Sequence, residues 1–128
     1  MAALHWYAKE FSLRTGLAVS VGGKEPRARI PADIEIALYR IVQEALNNVA
    51  KHAHATTVLI ALERSGSKYD MSVTDNGIGF RTVDLRAQPS RPGLGMVTMR
   101  ERAQAVGGRF EVMALPGSGT RLTVRVPV

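Results

Sequence analysis

The sequence contains no cysteine, which excludes disulfides, thiol nucleophiles and thiolate metal sites. No apolar run approaches the roughly 18 residues that a membrane span needs, and the N-terminus lacks a signal-peptide pattern. Cysteine chemistry does not fix the compartment, and cytoplasm is the default expectation. Aromatic residues are scarce, at 5%. A stacking platform for single-stranded nucleic acid wants basic side chains interleaved with aromatics, and here the basic residues are scattered. Low-complexity tracts, internal repeats and linkers that would split the chain are also missing.

What remains is an ordinary globular composition. The 128 residues are 45% hydrophobic and 22% charged, which suits one domain with one core. Lys and Arg outnumber Asp and Glu by 17 to 11, giving a formal charge of +6. That balance favours anionic partners such as nucleotides, nucleic acids or an acidic protein face.

Periodicity predicts the elements. Leu4, Tyr7, Ala8, Phe11 and Trp6 form an approximate helical stripe over 2–14, closed by Thr15-Gly16. A short strand follows at 17–21. Pro31 opens a long helix reaching about residue 53, with Asp33 and Glu35 in the first turn, where the positive dipole end favours them. Its apolar face is Ile34, Leu38, Ile41, Val42, Ala45 and Val49. Strands are expected at 57–62 and 69–74, a helix at 94–106, and a final hairpin of 109–114 with 121–126. Paired strands with helices of this length predict a mixed sheet covered on one face by helices.

Four stretches could carry chemistry. In "QEALNNVAKHA", Glu44, Asn48, Lys51 and His52 share one stripe at about 100° per residue, opposite much of the apolar face. A carboxylate, an amide oxygen and an ammonium can hold hydrated Mg²⁺ beside phosphates, or simply form a solvated face. In "SVTDNGIGF", Asn76-Gly77 is a strong hairpin signal. Alternation, however, lets Asp75 face the covered side of the sheet, where a carboxylate needs a donor such as a purine amino group. Gly77 and Gly79 would then let a base approach the backbone. "GLGMVTMRER" places Gly93 and Gly95 at a helix entrance, where free amides bind phosphate. It is neither a Rossmann fingerprint nor a Walker A loop. "GSGT" at 117–120 reads alone as a hairpin loop.

Taken together and in order, these four stretches resemble the asparagine box and three glycine boxes of the GHKL superfamily. That superfamily comprises gyrase-type ATPases, Hsp90 chaperones, sensor histidine kinases and MutL repair proteins. "ALYRIVQEALNNVAKHAHAT", "VTDNGIGF" and "GLGMVTMRERAQAVGGRFEV" are most similar to the catalytic and ATP-binding domain of bacterial sensor histidine kinases. Within these they match the nitrate-sensor and membrane-fluidity-sensor subgroup. The likeness runs over essentially the whole chain.

The resemblance implies an α+β two-layer sandwich, the Bergerat ATP-binding fold, as one domain over 1–128. It implies ATP and Mg²⁺ as cofactors. Asp75 would accept the adenine amino hydrogen, Gly77 and Gly79 would admit the base, and Thr120 would support Asp75 or a bridging water. Asn48 would coordinate Mg²⁺, with Glu44 ordering metal-bound water or accepting a proton. Lys51 and His52 would lean toward the phosphates, and backbone amides of Gly93, Leu94, Gly95 and Met96 would hold the phosphate chain. Residues 80–92 would form a short ATP lid, with Arg81, Arg86 and Arg91 solvated rather than on phosphate.

A kinase of this type passes the γ-phosphoryl to a histidine on a separate dimeric helical domain. None of His5, His52 and His54 has that setting, so the phosphoacceptor domain is expected elsewhere. A response regulator would act downstream. The isolated domain is expected as a monomer, without nucleic-acid or direct membrane contact, whether or not the parent is membrane-anchored. The competing readings are an anti-sigma-factor-type serine kinase of the same superfamily, a basic nucleic-acid module and a gyrase-like hydrolase. Against the first stand Lys51-His52 after the asparagine and "GLGMVTMRERA". A metal site at "HAH" (52–54) lacks further ligands.

Overall fold

The computed structural model describes residues 2–23, 30–77, 92–115 and 119–128. Helix α1 (Ala2–Thr15) buries Leu4, Ala8 and Phe11, which recur on one helical face. Trp6, expected on that stripe, is instead 62% exposed, because it falls between the inward positions. Gly16 stops α1 at φ 82°, a left-handed conformation that glycine adopts without strain. Its N–H donates to the Ser12 carbonyl at 2.9 Å.

Strand β1 (Ala18–Gly22) follows, its edge tied back to α1 where Val19 N–H donates to Ser12 Oγ at 2.9 Å. Helix α2 (Ala32–Asn48) begins directly after Pro31 and buries Ile34, Ala37, Leu38, Ile41, Val42, Ala45 and Leu46. The α-helix does not reach residue 53. From Val49 to Ala53 the chain forms a π-helical turn, which ends at His54 in the left-handed region with φ 52°. The remaining elements are β2 (Thr57–Ser65), β3 (Lys68–Asp75), α3 (Pro92–Ala105), β4 (Arg109–Leu115) and β5 (Gly119–Pro127).

The five strands form one sheet in the order β1-β2-β3-β5-β4. β1 runs parallel to β2 and every other pair is antiparallel, so the sheet is mixed as expected. Alternation decides which face is covered. Val58, Ile60 and Leu62 on β2, Tyr69, Met71 and Val73 on β3, and Leu122, Val124 and Val126 on β5 point into one core under the helices. The opposite face carries polar side chains, including Arg125 Nε 2.9 Å from Asp70 Oδ1. No helix among the described residues is long and apolar enough to cross a membrane.

This division sets the energetics. Leu38 is fully buried, so Leu38→Ala is expected to cost about 2–5 kcal/mol through lost burial and a residual cavity. The Asp70–Arg125 pair is solvated, at 28% and 53% exposure, so Asp70→Ala should change stability by about 1 kcal/mol or less. Urea midpoints of the two variants check both values; a larger shift for Asp70→Ala would contradict this account.

Candidate active site

Asp75 is the last residue of the central strand β3 and continues the inward row of Tyr69, Met71 and Val73. It is 6% exposed, and its register partner on β5 is Thr120, itself 5% exposed. The segment after Asp75 is not one arm of a hairpin. The neighbours of β3 are β2 and β5, so Asn76-Gly77 joins no paired strands. Instead Gly77 N–H donates to Asp75 Oδ1 at 2.8 Å, a turn closed by the side chain of Asp75. The Gly77 amide thereby holds one carboxylate oxygen, and Asp75 lines a cavity.

Burial pushes the Asp75 carboxyl above its ordinary range, and the backbone amides of Gly77 and Thr120 pull partly against that rise. Among the described residues, the buried hydroxyl of Thr120 has no hydrogen-bond partner. Asp75 and the unpartnered Thr120 hydroxyl thus sit at one end of a narrow cleft. Its lining is otherwise apolar: Ala45 and Val49 from the long helix, Val73 and Leu122 from the sheet, and Met96 from α3. Asn48 closes the polar side. The pairing of an acceptor and a hydroxyl with apolar walls suits a flat heteroaromatic ring bearing an amino donor.

Asn48 and Glu44 are one turn apart on α2, and Gly95 of α3 lies against both. A Cβ at Gly95 would stand 2.7 Å from Glu44 Oε1 and 3.1 Å from Asn48 Nδ2. A side chain there would collide with the carboxylate, so glycine lets the two helices approach where these polar groups meet. Asn48 borders the apolar face rather than opposing it, because three α-helical residues return it to within about 60° of Ala45.

The remaining expected site residues divide. The first turn of α3 starts at Pro92, earlier than expected, since Gly93 and Gly95 are taken into the helix. Pro92 has no N–H, so Gly93 and Leu94 supply the unbonded first-turn donors. Met96 N–H is committed to the carbonyl four residues back, and Met96 contributes its side chain to the cavity instead. Lys51 is exposed and lines a different groove with Thr15, Gly16, Leu17, His54 and Thr56. The π-helical turn carries it off the stripe that an unbroken α-helix would make. The His52 side chain, Gly79 and the expected lid up to residue 91 lie outside the described residues.

Sequence reasoning missed the walls Val73 and Leu122, which stand two residues from Asp75 and Thr120 and were accessible from strand alternation. It also missed Asn76. Thr56 and Thr57 N–H donate to Asn76 Oδ1 at 2.9 and 3.0 Å, and Asn76 Nδ2 donates to Thr56 Oγ1 at 2.9 Å.

Comparison with known proteins agrees with this geometry. Residues 33–128 match the model of the histidine kinase-, DNA gyrase B- and HSP90-like ATPase family. The chain belongs to that family. As a member of this ATPase family it carries an ATP site, and the Asp75–Thr120 cavity is the candidate for it. The chain is 34% identical over 122 residues to the signal transduction histidine-protein kinase/phosphatase DegS of Brevibacillus brevis, covering 95% of this chain and 31% of that protein. It is 39% identical over 99 residues to the sensor histidine kinase LiaS of Bacillus subtilis, covering 77% of this chain and 26% of that protein. The chain thus spans about a third or less of these two relatives. In fold it resembles the histidine kinase domain of an Erythrobacter litoralis blue-light activated histidine kinase, with a TM-score of 0.76 and 24% identity over 98% of this chain and 59% of that one. The Acinetobacter baumannii histidine kinase AdeS also gives 0.76, at 15% identity over 98% and 61%.

The raised Asp75 carboxyl makes stability depend on pH. A folded-state value above the ordinary 3.8 means the proton is held more tightly in the folded chain. Its stabilising contribution is complete below 3.8 and is lost as pH rises through the raised folded value. Without ligand, Asp75→Asn is therefore expected to melt above the wild type at neutral pH, with the gap closing as pH falls toward 3.8. Melting curves across that window check the sign; a variant less stable than wild type at pH 7 contradicts it.

Proposed function

We propose that this chain binds Mg·ATP and serves as the catalytic domain of a sensor histidine kinase, donating the γ-phosphoryl to a histidine on a separate helical domain. The observation that carries the reading is the buried Asp75 carboxylate beside the unpartnered Thr120 hydroxyl, at the end of an apolar cleft. In this reading the Asp75 carboxylate accepts the adenine amino hydrogen, and Thr120 bonds the base or a water beside it. Gly77, and Gly79 beyond it, keep side chains away from the ring.

Ala45, Val49, Val73, Met96 and Leu122 enclose the base and exclude water. Asn48 would offer an amide oxygen to Mg²⁺ and Glu44 would order its water, a small donor set that suits an ion keeping most of its hydration. The metal would neutralise charge on the phosphates during transfer. Amides of Gly93 and Leu94 at the N-terminus of α3 would bind phosphate oxygens. Lys51 would reach the phosphates only by turning away from the groove it lines here, and His52 keeps the phosphate role that the resemblance implies. The response regulator, the cytoplasmic location and the monomeric state remain parts of this proposal. The relatives' names favour a histidine kinase over a serine kinase or a nucleic-acid module.

Labelled ATP mixed with this chain and the parent's helical domain is expected to leave an acid-labile label on histidine; label on a partner's serine supports the rival kinase reading. Calorimetric titration should give adenine-nucleotide affinity that Asp75→Asn weakens at least about tenfold. Equal affinity in wild type and variant would remove the assignment of the base. Gly95→Ala should change stability by about 1 kcal/mol or less, since alanine favours helix and only side-chain ends need shift. It should nevertheless slow transfer by displacing Glu44 and Asn48, and an unchanged rate would count against their roles.

A further inference from the structure

The Asn76 side chain is exposed, yet each of its polar atoms is engaged. Its amide oxygen accepts two backbone N–H groups and its amide nitrogen donates to the Thr56 hydroxyl. Its own N–H donates to the Thr57 carbonyl at 3.3 Å. The ladder of β2 with β3 ends at Val58–Asp75, so without this clamp Asp75 would be a terminal pair, where strands fray.

The partners of the clamp matter as much as its bonds. Thr56 carbonyl also accepts Ala18 N–H at 3.0 Å, which anchors the clamp to β1. Thr56 lies two residues beyond His54, the left-handed residue that ends the π-helical turn after Asn48. One side chain therefore fastens the strand end bearing Asp75 to the exit of the helix bearing Glu44 and Asn48. Hydrogen bonds this exposed contribute little to global stability, because water replaces them on unfolding. Their effect is local: they fix where the Asp75 carboxylate stands.

From this geometry we infer that Asn76 is a positioning residue for base recognition, holding Asp75 in register with a purine amino group through its clamp on Thr56 and Thr57. The inference rests on the proposed nucleotide site and adds the residue that sets its selectivity. It acts through Asp75 and touches no ligand itself.

The test compares ATP with inosine triphosphate, which lacks the amino donor, in the wild type, Asn76→Ala, Asn76→Asp and Asp75→Asn. Wild type should prefer ATP at least about tenfold, since a buried acceptor left unpaired penalises the analogue. In Asn76→Ala that preference should fall to within about threefold, while the melting temperature stays within a few degrees. Aspartate at 76 keeps oxygens for both amides, and the Thr56 hydroxyl can reverse to become its donor. Asn76→Asp should therefore restore the preference. A loss of affinity for both nucleotides with the ratio unchanged would mark Asn76 as merely structural and overturn the inference, as would failure of aspartate to rescue. If wild type and Asp75→Asn share one ratio, the base assignment itself falls and takes this inference with it.

Discussion

A carboxylate held out of water at the end of the central strand is the constraint around which this structure is arranged. Burying Asp75 costs free energy unless its charge is met, and the amides of Gly77 and Thr120 offset that cost only in part. The Thr120 hydroxyl beside it is likewise unsatisfied among the described residues. A fold selected only for stability would place apolar side chains there, as it does at Val73 and Leu122 one step along the same strands. The unmet polarity is a standing vacancy for a donor, surrounded by hydrocarbon.

The helices serve that vacancy from the other side. α2 is anchored by a wide apolar face, which leaves Glu44 and Asn48 at the margin where α3 crosses. Gly95 sets the distance of that crossing. Packing thus fixes the amide of Asn48 and the carboxylate of Glu44 relative to the acid on the strand. The distribution of glycine follows the same logic: two lie where backbone comes close to functional side chains, at 77 and 95.

Much of this was legible before any coordinates. Every second residue from 69 to 75 faces the core, so alternation let Asp75 face the covered side, whereas Thr120 read alone as part of a loop and entered only through the family resemblance. The stripe from Ile34 to Val49 announced the buried face of α2. Other features had no local signature. Insertion of β5 between β3 and β4 is a long-range choice that no short window encodes. "VAKHA" is as compatible with α as with π geometry, so the displacement of Lys51 was hidden. Gly93 and Gly95 read as a helix entrance, yet the helix takes both in, and at Gly95 an added side chain would press on Glu44 and Asn48 of α2. Asn76 was disguised by its own neighbour, since Asn-Gly spells a hairpin in isolation.

The strand order has a consequence for how the molecule comes into being. Asp75 and Thr120 are adjacent in space but belong to the third and fifth strands in chain order, and β5 must slot between β3 and β4 before they meet. The pairing of Asp75 with Thr120 is therefore a contact between residues far apart in the chain, the kind whose loop closure costs the most entropy. A chain in which β5 has not yet taken its place beside β3 lacks the Asp75–Thr120 pairing altogether, however well ordered it is elsewhere.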